Sequence, residues 1–351
     1  MDYNLKLVNG TYKLQPSGET IQEGDGLKFI AKIKDHFYDQ EFFSQDSHFN
    51  KEVIQQVQTI AVDCGVLNTN DKRQMGAFKN FCPAVFHLYK CASVERSVSA
   101  LCFVYLVCFL DDLLDDEELS EETAEEIVNN VCSTFKDGEV NSSISSKQTE
   151  DILKYTLEVR KRLLLHVDEE WMSKFSESYT QYLTASLNET LTDETMPIDE
   201  YLKIRMYTSS AFLCQDLLSV MYNFSYKKSQ DIERARFLCN RVMSFTNDLF
   251  SFEKECNSNS ANLLKLLMIE EEIPLSHASN KVLDMLNQDI DELRMIEQQT
   301  AGTEDWITKC VEGIKIMIQG HTIWCGSTKR YCTSTSPFVD LREQHAKISC
   351  V

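Results

Sequence analysis

Two acidic clusters in this 351-residue chain have the composition of a hard-cation site. The first is Asp111-Asp112-Leu113-Leu114-Asp115-Asp116. The second is Asn247-Asp248-Leu249-Phe250-Ser251-Phe252-Glu253-Lys254-Glu255. Carboxylates at that density repel one another, and solvent or a divalent cation must offset the repulsion. In the first cluster Asp111 and Asp115 stand four residues apart, as do Asp112 and Asp116. On a helix each pair shares a face with ~5–6 Å between Cβ atoms, which suits carboxylates bridging Mg²⁺ ions that keep part of their water. The ordinary alternative is a solvated acidic helix end running on into further glutamates. The second cluster is more telling. Asn247, Ser251 and Glu255 recur every four residues, so an amide oxygen, a hydroxyl and a carboxylate stack on one face over two turns. Asn and Ser are poor helix-interior residues unless their oxygens are used. Phe245, Leu249, Phe250 and Phe252 surround the stripe, so the helix is buried and a solvent-facing polar stripe fits it badly.

The elements that must hold these clusters are helices. Hydrophobic residues make up 43% of the chain, and with only 11 Gly and 5 Pro there are too few turn-formers for an all-β fold. The chain reads as a single all-α bundle. Helical patterning covers residues 55–66, then 95–110, which deliver the first cluster at their C-terminal end. Ser120 reads as an N-cap with Glu121 and Glu122 in the first turn. Further helices cover 152–165, 170–187, a segment opened by Pro197, 232–256 (carrying the second cluster), 261–271, 279–297 and 305–325. Residues 136–149 form the clearest loop. Residues 1–26 read as an irregular arm, 27–331 as one α-domain, and 332–351 as a tail.

The formal net charge of −20 argues against nucleic acid and anionic membrane as partners. An anionic ligand then needs metal ions or a local island of Lys and Arg. Thirteen Cys without a C-x-x-C pair read as neither a disulfide framework nor a zinc site, and a reducing, cytoplasmic setting fits them best. The N-terminus carries no apolar signal core. The apolar run at 99–110 is too short to span a bilayer. Cys350 is misplaced for prenylation.

Together, DDLLDD and NDLFSFEKE resemble the aspartate-rich and NSE-type metal motifs of microbial-type class I terpene synthases (bacterial, fungal and social-amoeba). Two more elements in the same order resemble that family. Tyr201-x-x-x-Arg205-x-x-Thr208-Ser209 is similar to the segment holding its diphosphate-sensing arginine. Trp324, ahead of Arg330-Tyr331, is similar to its C-terminal Arg-Tyr pair. The resemblance covers about residues 78–331. It implies a class I terpenoid synthase-like bundle with a central active-site cavity. Asp111, Asp112, Asp115, Asn247, Ser251 and Glu255 would be the metal ligands, with Asp115 preferred to Asp116. The cofactor would be Mg²⁺, three ions, with Mn²⁺ as a substitute. Arg205, Lys254, Arg330 and Tyr331 would bind diphosphate, and Arg205, Ser209, Arg330 and Tyr331 would act in catalysis. In bacterial members the position after the sensor arginine is often Gly. Here Thr208, Ser209 and Ser210 occupy the region, which leaves open the backbone carbonyl that assists ionisation.

The implied reaction ionises a prenyl diphosphate, farnesyl diphosphate first among them, cyclises the carbocation and releases diphosphate. Aromatic faces would stabilise the cation. Phe109, Phe212 and Trp324 have the best positions among Phe78, Phe81, Phe103, Phe109, Tyr207, Phe212 and Trp324. The expected partner is a small prenyl diphosphate, with no nucleic acid and no membrane, on a monomer or homodimer. A chain-elongating prenyl diphosphate synthase would carry Asp at position 251 and a basic Gly-Arg-Arg segment, and neither is present. A non-catalytic helical scaffold would leave the buried Asn-Ser-Glu stripe unexplained.

Overall fold

The computed structural model describes residues 1–8, 11–18, 27–43, 47–90, 92–114, 119–140, 146–189, 196–256 and 260–349. Asp115 and Asp116 lie outside the described residues, as do parts of the expected arm and of the 136–149 loop. In chain order the elements are β1 (Tyr3–Val8), β2 (Thr11–Pro16), α1 (Ser47–Cys64), α2 (Lys72–Leu88), α3 (Val94–Leu114), α4 (Glu121–Asp137), α5 (Lys147–Leu163), α6 (Glu169–Glu189), α7 (Ile198–Thr208), α8 (Ala211–Tyr222), α9 (Gln230–Cys256), α10 (Leu263–Glu270), α11 (Leu275–Thr300), α12 (Asp305–Cys325) and α13 (Val339–Ser349). The contacts divide the chain into two compact units interleaved in sequence, where one continuous domain over 27–331 was expected. One unit takes Met1–Asp39, Leu191–Ser209 and Lys228–Val351; the other takes Gln40–Thr190 and Ser210–Lys227.

The second of these units is built on α3, which is apolar all round and therefore must be enclosed rather than half-exposed. Helices α1, α2, α5, α6 and α8 pack on it. Phe103 sits 4.8 Å from Phe175 and 5.2 Å from Tyr179, ring centre to ring centre, in an aromatic core shared with Phe135. At 21 residues α3 is longer than the expected run and long enough to cross a bilayer, but most of it is buried inside the protein. Its burial, not its length, marks it as a core helix. The α4 start is as expected: Ser120 Oγ accepts from the Thr123 amide at 3.3 Å, with Glu121 and Glu122 in the first turn. Gly138 closes the same helix in the left-handed region at φ 77°.

The other unit is organised around α9, with α7, α10, α11 and α12 against it. Arg234 and Arg241 of α9 pair with Glu292 and Asp289 of α11 at 2.6 and 2.8 Å. Two expectations are corrected here. The N-terminal residues are not irregular: β1 and β2 form an antiparallel hairpin in which Val8 faces Thr11. In the sequence an Asn-Gly pair stands between the two runs, and Asn-Gly between apolar alternations is a strong hairpin signal. Asp2 anchors the hairpin by accepting from the Ser276 amide at 3.1 Å, at the start of α11. The C-terminal residues are not a bare tail either. They form α13, whose buried Asp340 accepts the amides of Phe29 and Ile30 at 2.8 Å each.

Residues 29–39 of this unit are tied down through side chains. Gln319 Oε1 accepts the Phe37 and Tyr38 amides, and its Nε2 donates to the Tyr38 carbonyl. Asp35 in this segment is 2% exposed, and its Oδ2 has no hydrogen-bond partner among the described residues. Burial pushes its carboxyl up to about 6, against hydrogen bonding from Thr322 and the nearby His36. A carboxyl raised in the folded state binds its proton more readily there than in the unfolded chain. Its burden on stability is therefore full above about pH 6 and relieved as pH falls towards 4. Asp35→Asn is expected to stabilise the protein at pH 7.5 by about 1–3 kcal/mol. Urea midpoints measured from pH 7.5 to 4 should show that advantage shrinking through pH 6, and a pH-independent difference would refute this origin.

Candidate active site

The helix α9 forms because a long apolar stripe faces α11 and α12, and its polar stripe is carried along on a second face. Ser251 is buried, and Asn247 and Glu255 are half-buried. Ser251 Oγ donates to Glu255 Oε2 at 2.8 Å. The same carboxylate oxygen accepts from Asn262 Nδ2 at 2.7 Å. Asn262 also donates to the Asp248 carbonyl at 2.9 Å, while its Oδ1 caps α10 through the Leu264 amide. An Asn placed directly before the apolar run of α10 is an N-cap signal, and it could have found this residue.

Asn247 is the meeting point of three chain segments. Its Oδ1 accepts from an Arg205 terminal nitrogen at 2.7 Å, and its Nδ2 donates to the Tyr331 hydroxyl at 2.9 Å. The Tyr331 ring lies 5.9 Å from Trp324 in an edge-on contact. Burial, first of all, pushes the Tyr331 phenol well up, so it stays protonated at neutral pH. Arg330 adjoins Tyr331 in the turn after α12, its amide donating to Thr328 Oγ1. Lys254 is exposed on α9, seven residues and so nearly two turns from Asn247.

Arg205 is held from the other side by Asp248, which is fully buried. Asp248 Oδ1 lies 3.1 Å from Arg205 Nε and 2.9 Å from its terminal nitrogen. Asp248 Oδ2 accepts from the Tyr201 hydroxyl at 2.8 Å and the Leu263 amide at 3.4 Å. Burial raises the Asp248 carboxyl, and the Arg205 guanidinium pulls it back. His321 of α12 is neutral. Burial lowers it to about 4, and the Arg205 charge adds to that. Neither Asp248 nor Tyr201 was singled out for a role from sequence, although both sit inside the motifs read there.

In the other unit, Asp111 and Asp112 occupy the last turn of α3 and are half-exposed. Asp111 lies close enough to Tyr182 of α6 to raise its phenol further, after burial has done most of it. Phe109 and Phe212 are half-buried in this unit, and the Phe109 ring lies 6.2 Å from Tyr105. Tyr207, considered for the cation pocket, is 52% exposed on α7 and is dropped from it. Ser209 ends α7, and its hydroxyl donates to Asn240 Oδ1 at 3.3 Å.

Among the described residues no group of three or more His, Cys, Asp or Glu side chains could hold a metal. The donors that α9 presents are instead an amide, a hydroxyl and a carboxylate oxygen on one face. All are hard ligands, and they fit Mg²⁺ rather than zinc or copper.

Known proteins resemble this chain over most of its length. The chain is 23% identical over 320 residues to terpene synthase 1 of Dictyostelium purpureum, covering 84% of this chain and 82% of that one. It is 25% identical over 301 residues to (+)-eremophilene synthase of Sorangium cellulosum, covering 82% and 90%. The fold matches 2-methylisoborneol synthase from Streptomyces coelicolor A3(2), crystallised with Mg²⁺ and 2-fluoroneryl diphosphate. The TM-score is 0.71 at 15% identity, over 82% of this chain and 94% of that one. The family described as terpene synthase family 2, C-terminal metal binding, matches residues 102–292, a span from within α3 to within α11 that is more than half the chain. The chain therefore belongs to terpene synthase family 2 and is a microbial-type class I terpene synthase with the all-α fold of that class.

Proposed function

We propose that this protein takes farnesyl diphosphate, with Mg²⁺ held by Asp111, Asp112 and Asp115 and by Asn247, Ser251 and Glu255, and converts it to a sesquiterpene with release of diphosphate. The observation that carries the reading is the contact of Arg205 with Asn247: a cation able to grip an anion touches an oxygen donor able to hold a metal. The name of the Sorangium cellulosum relative, that of a sesquiterpene synthase, supports the chain length.

When bound, Mg²⁺ supplies Lewis-acid stabilisation of the charge that develops on the leaving diphosphate. Arg205, Lys254 and Arg330 would donate to the same oxygens, the two arginines through planar forks that match phosphate geometry, and Arg205 is held in place beforehand by Asp248. Tyr331 stays protonated and can donate one more bond. Donors fixed before reaction stabilise developing charge without reorganising, which is where such sites gain most. The allylic cation that remains must be shielded from water and met by aromatic faces, for which Phe109, Phe212 and Trp324 stand as the proposed residues. Ser209, at the end of α7, stands as the proposed catalytic residue of the Thr208-Ser209-Ser210 segment. The released diphosphate can accept the terminating proton, so no separate strong base is required.

Purified protein incubated with Mg²⁺ and C10, C15 or C20 prenyl diphosphates is expected to release diphosphate and yield a volatile terpene, best from the C15 substrate. Headspace analysis showing no hydrocarbon or alcohol from any of the three would sink the reading. Chelation with EDTA should stop turnover, and added Mg²⁺ should restore it. Asp111→Ala and Asn247→Ala are each expected to lower kcat by at least about 100-fold while keeping the helical circular dichroism. Near-normal turnover in both variants would overturn the metal roles.

A further inference from the structure

We propose that Asn240 is a positioning residue for the reaction proposed above: it sets where the C-terminal end of α7, and with it Arg205, lies along α9. The inference rests on that reading of the reaction. It starts from how little else holds α7. Of its eleven residues only Tyr201 and Thr208 are buried, so apolar packing alone leaves its register loose. A helix of that length is also marginal on its own. Polar contacts must then set its place. Asp248 supplies them along one stretch, to Tyr201 and Arg205.

Asn240 supplies them at the other end. It is fully buried on α9, two turns before Asn247 and on the same side of the helix. Its Nδ2 donates to the Met206 carbonyl at 2.9 Å, and its Oδ1 accepts from Ser209 Oγ at 3.3 Å. Ser244, one turn on, donates to the same Oδ1 at 3.3 Å and to the Asn240 carbonyl at 2.8 Å, which orients the amide. A primary amide can donate to a carbonyl and accept from a hydroxyl at once, which neither a carboxylate nor an apolar isostere can do. Immediately after Ser209 the backbone enters the left-handed region at Ser210, φ 56°, without a glycine. That conformation is strained for a residue with a Cβ and persists only where neighbouring contacts hold it. The helix carrying the arginine is thus pinned to the helix carrying the proposed metal ligands at two places. Asn240 is not among the proposed metal or diphosphate ligands.

The test uses the full chain with Asn240→Ala, which removes both contacts, and Asn240→Asp, which keeps the volume and the acceptor but loses the donor. With Mg²⁺ and farnesyl diphosphate, Asn240→Ala is expected to lower kcat about tenfold or more, as a misplaced group does. Its KM should stay within about threefold, since the other diphosphate-gripping groups are untouched. Asn240→Asp should fall between it and wild type. Without Mg²⁺ or substrate, hydrogen exchange of the amides in 205–210 should speed up by about tenfold while those of 247–255 hold. Wild-type kcat in Asn240→Ala overturns the proposal. So does a loss expressed only in KM, or one that tracks the fraction unfolded in a urea titration. If wild type turns over no prenyl diphosphate, the reaction reading fails. The exchange measurement then decides separately whether Asn240 holds α7, and unchanged exchange overturns that.

Discussion

The buried pair of Arg205 and Asp248 is the constraint on which the site depends. A carboxylate taken wholly out of water is costly unless partners surround it. Asp248 has them from three directions: the Arg205 guanidinium and Tyr201 hydroxyl from α7, and the Leu263 amide from the start of α10. Each partner therefore ties its own helix to α9. Removing one would leave a buried charge short of partners, a loss of about 3–5 kcal/mol for pairs of this kind. The energetics thus reach beyond stability, because the pair also fixes the guanidinium against Asn247. The same arginine that neutralises the interior acid is presented to the oxygen of the metal stripe, one terminal nitrogen lying 2.9 Å from Asp248 Oδ1 and 2.7 Å from Asn247 Oδ1.

That arrangement answers the question posed by a net charge of −20. Exposed charges farther away than a Debye length of about 8 Å are largely screened at physiological ionic strength, so a global surplus of acid does not decide what a local site binds. What decides it is the set of groups within a few ångströms and their freedom to reorient. Arg205 is only 13% exposed and doubly bonded, so its charge is neither screened by solvent nor free to wander. The neutral imidazole of His321 nearby adds no competing charge.

How much of this was legible in the sequence follows from what a single helix reports about itself. The spacing of Asn247, Ser251 and Glu255 is a property of one helix, and the structure keeps it on one face. The bounds of α12 were read correctly because its apolar pattern, acidic start and Gly326 end all coincide. Asp248 and Asn240 escaped because their roles depend on which helix lies opposite, and no periodicity within α9 carries that; Asn262 was passed over although its place before the apolar run of α10 is a local N-cap signal. Tyr207 misled for a related reason. Residue type favoured it, but on α7 the inward positions are Tyr201 and Thr208, seven residues apart, and Tyr207 falls on the other side. The hairpin and α13 were missed differently. The Asn-Gly pair is a local hairpin signal passed over in reading 1–26 as an irregular arm, and α13 is held largely by Asp340 reaching backbone amides far away in sequence.

The chemistry of the stripe explains its composition. A site made of three carboxylates would add charge beside Asp248, whose carboxyl Glu255 already pushes upward. With an amide at 247 and a hydroxyl at 251, the stripe offers hard oxygens whose one negative charge is that of Glu255. They also satisfy themselves within the protein: Ser251 donates to Glu255, Asn262 donates to the same oxygen, and Asn247 is engaged at both ends by Arg205 and Tyr331. Such a stripe can be buried and ordered by hydrogen bonds alone, so folding need not wait for a cation as it does in a structural zinc module. The consequence is a division of labour along α9. Asp248 and Asn240 are wholly buried and contact α7, while the half-buried Asn247 and Glu255 keep oxygens whose partners can be exchanged.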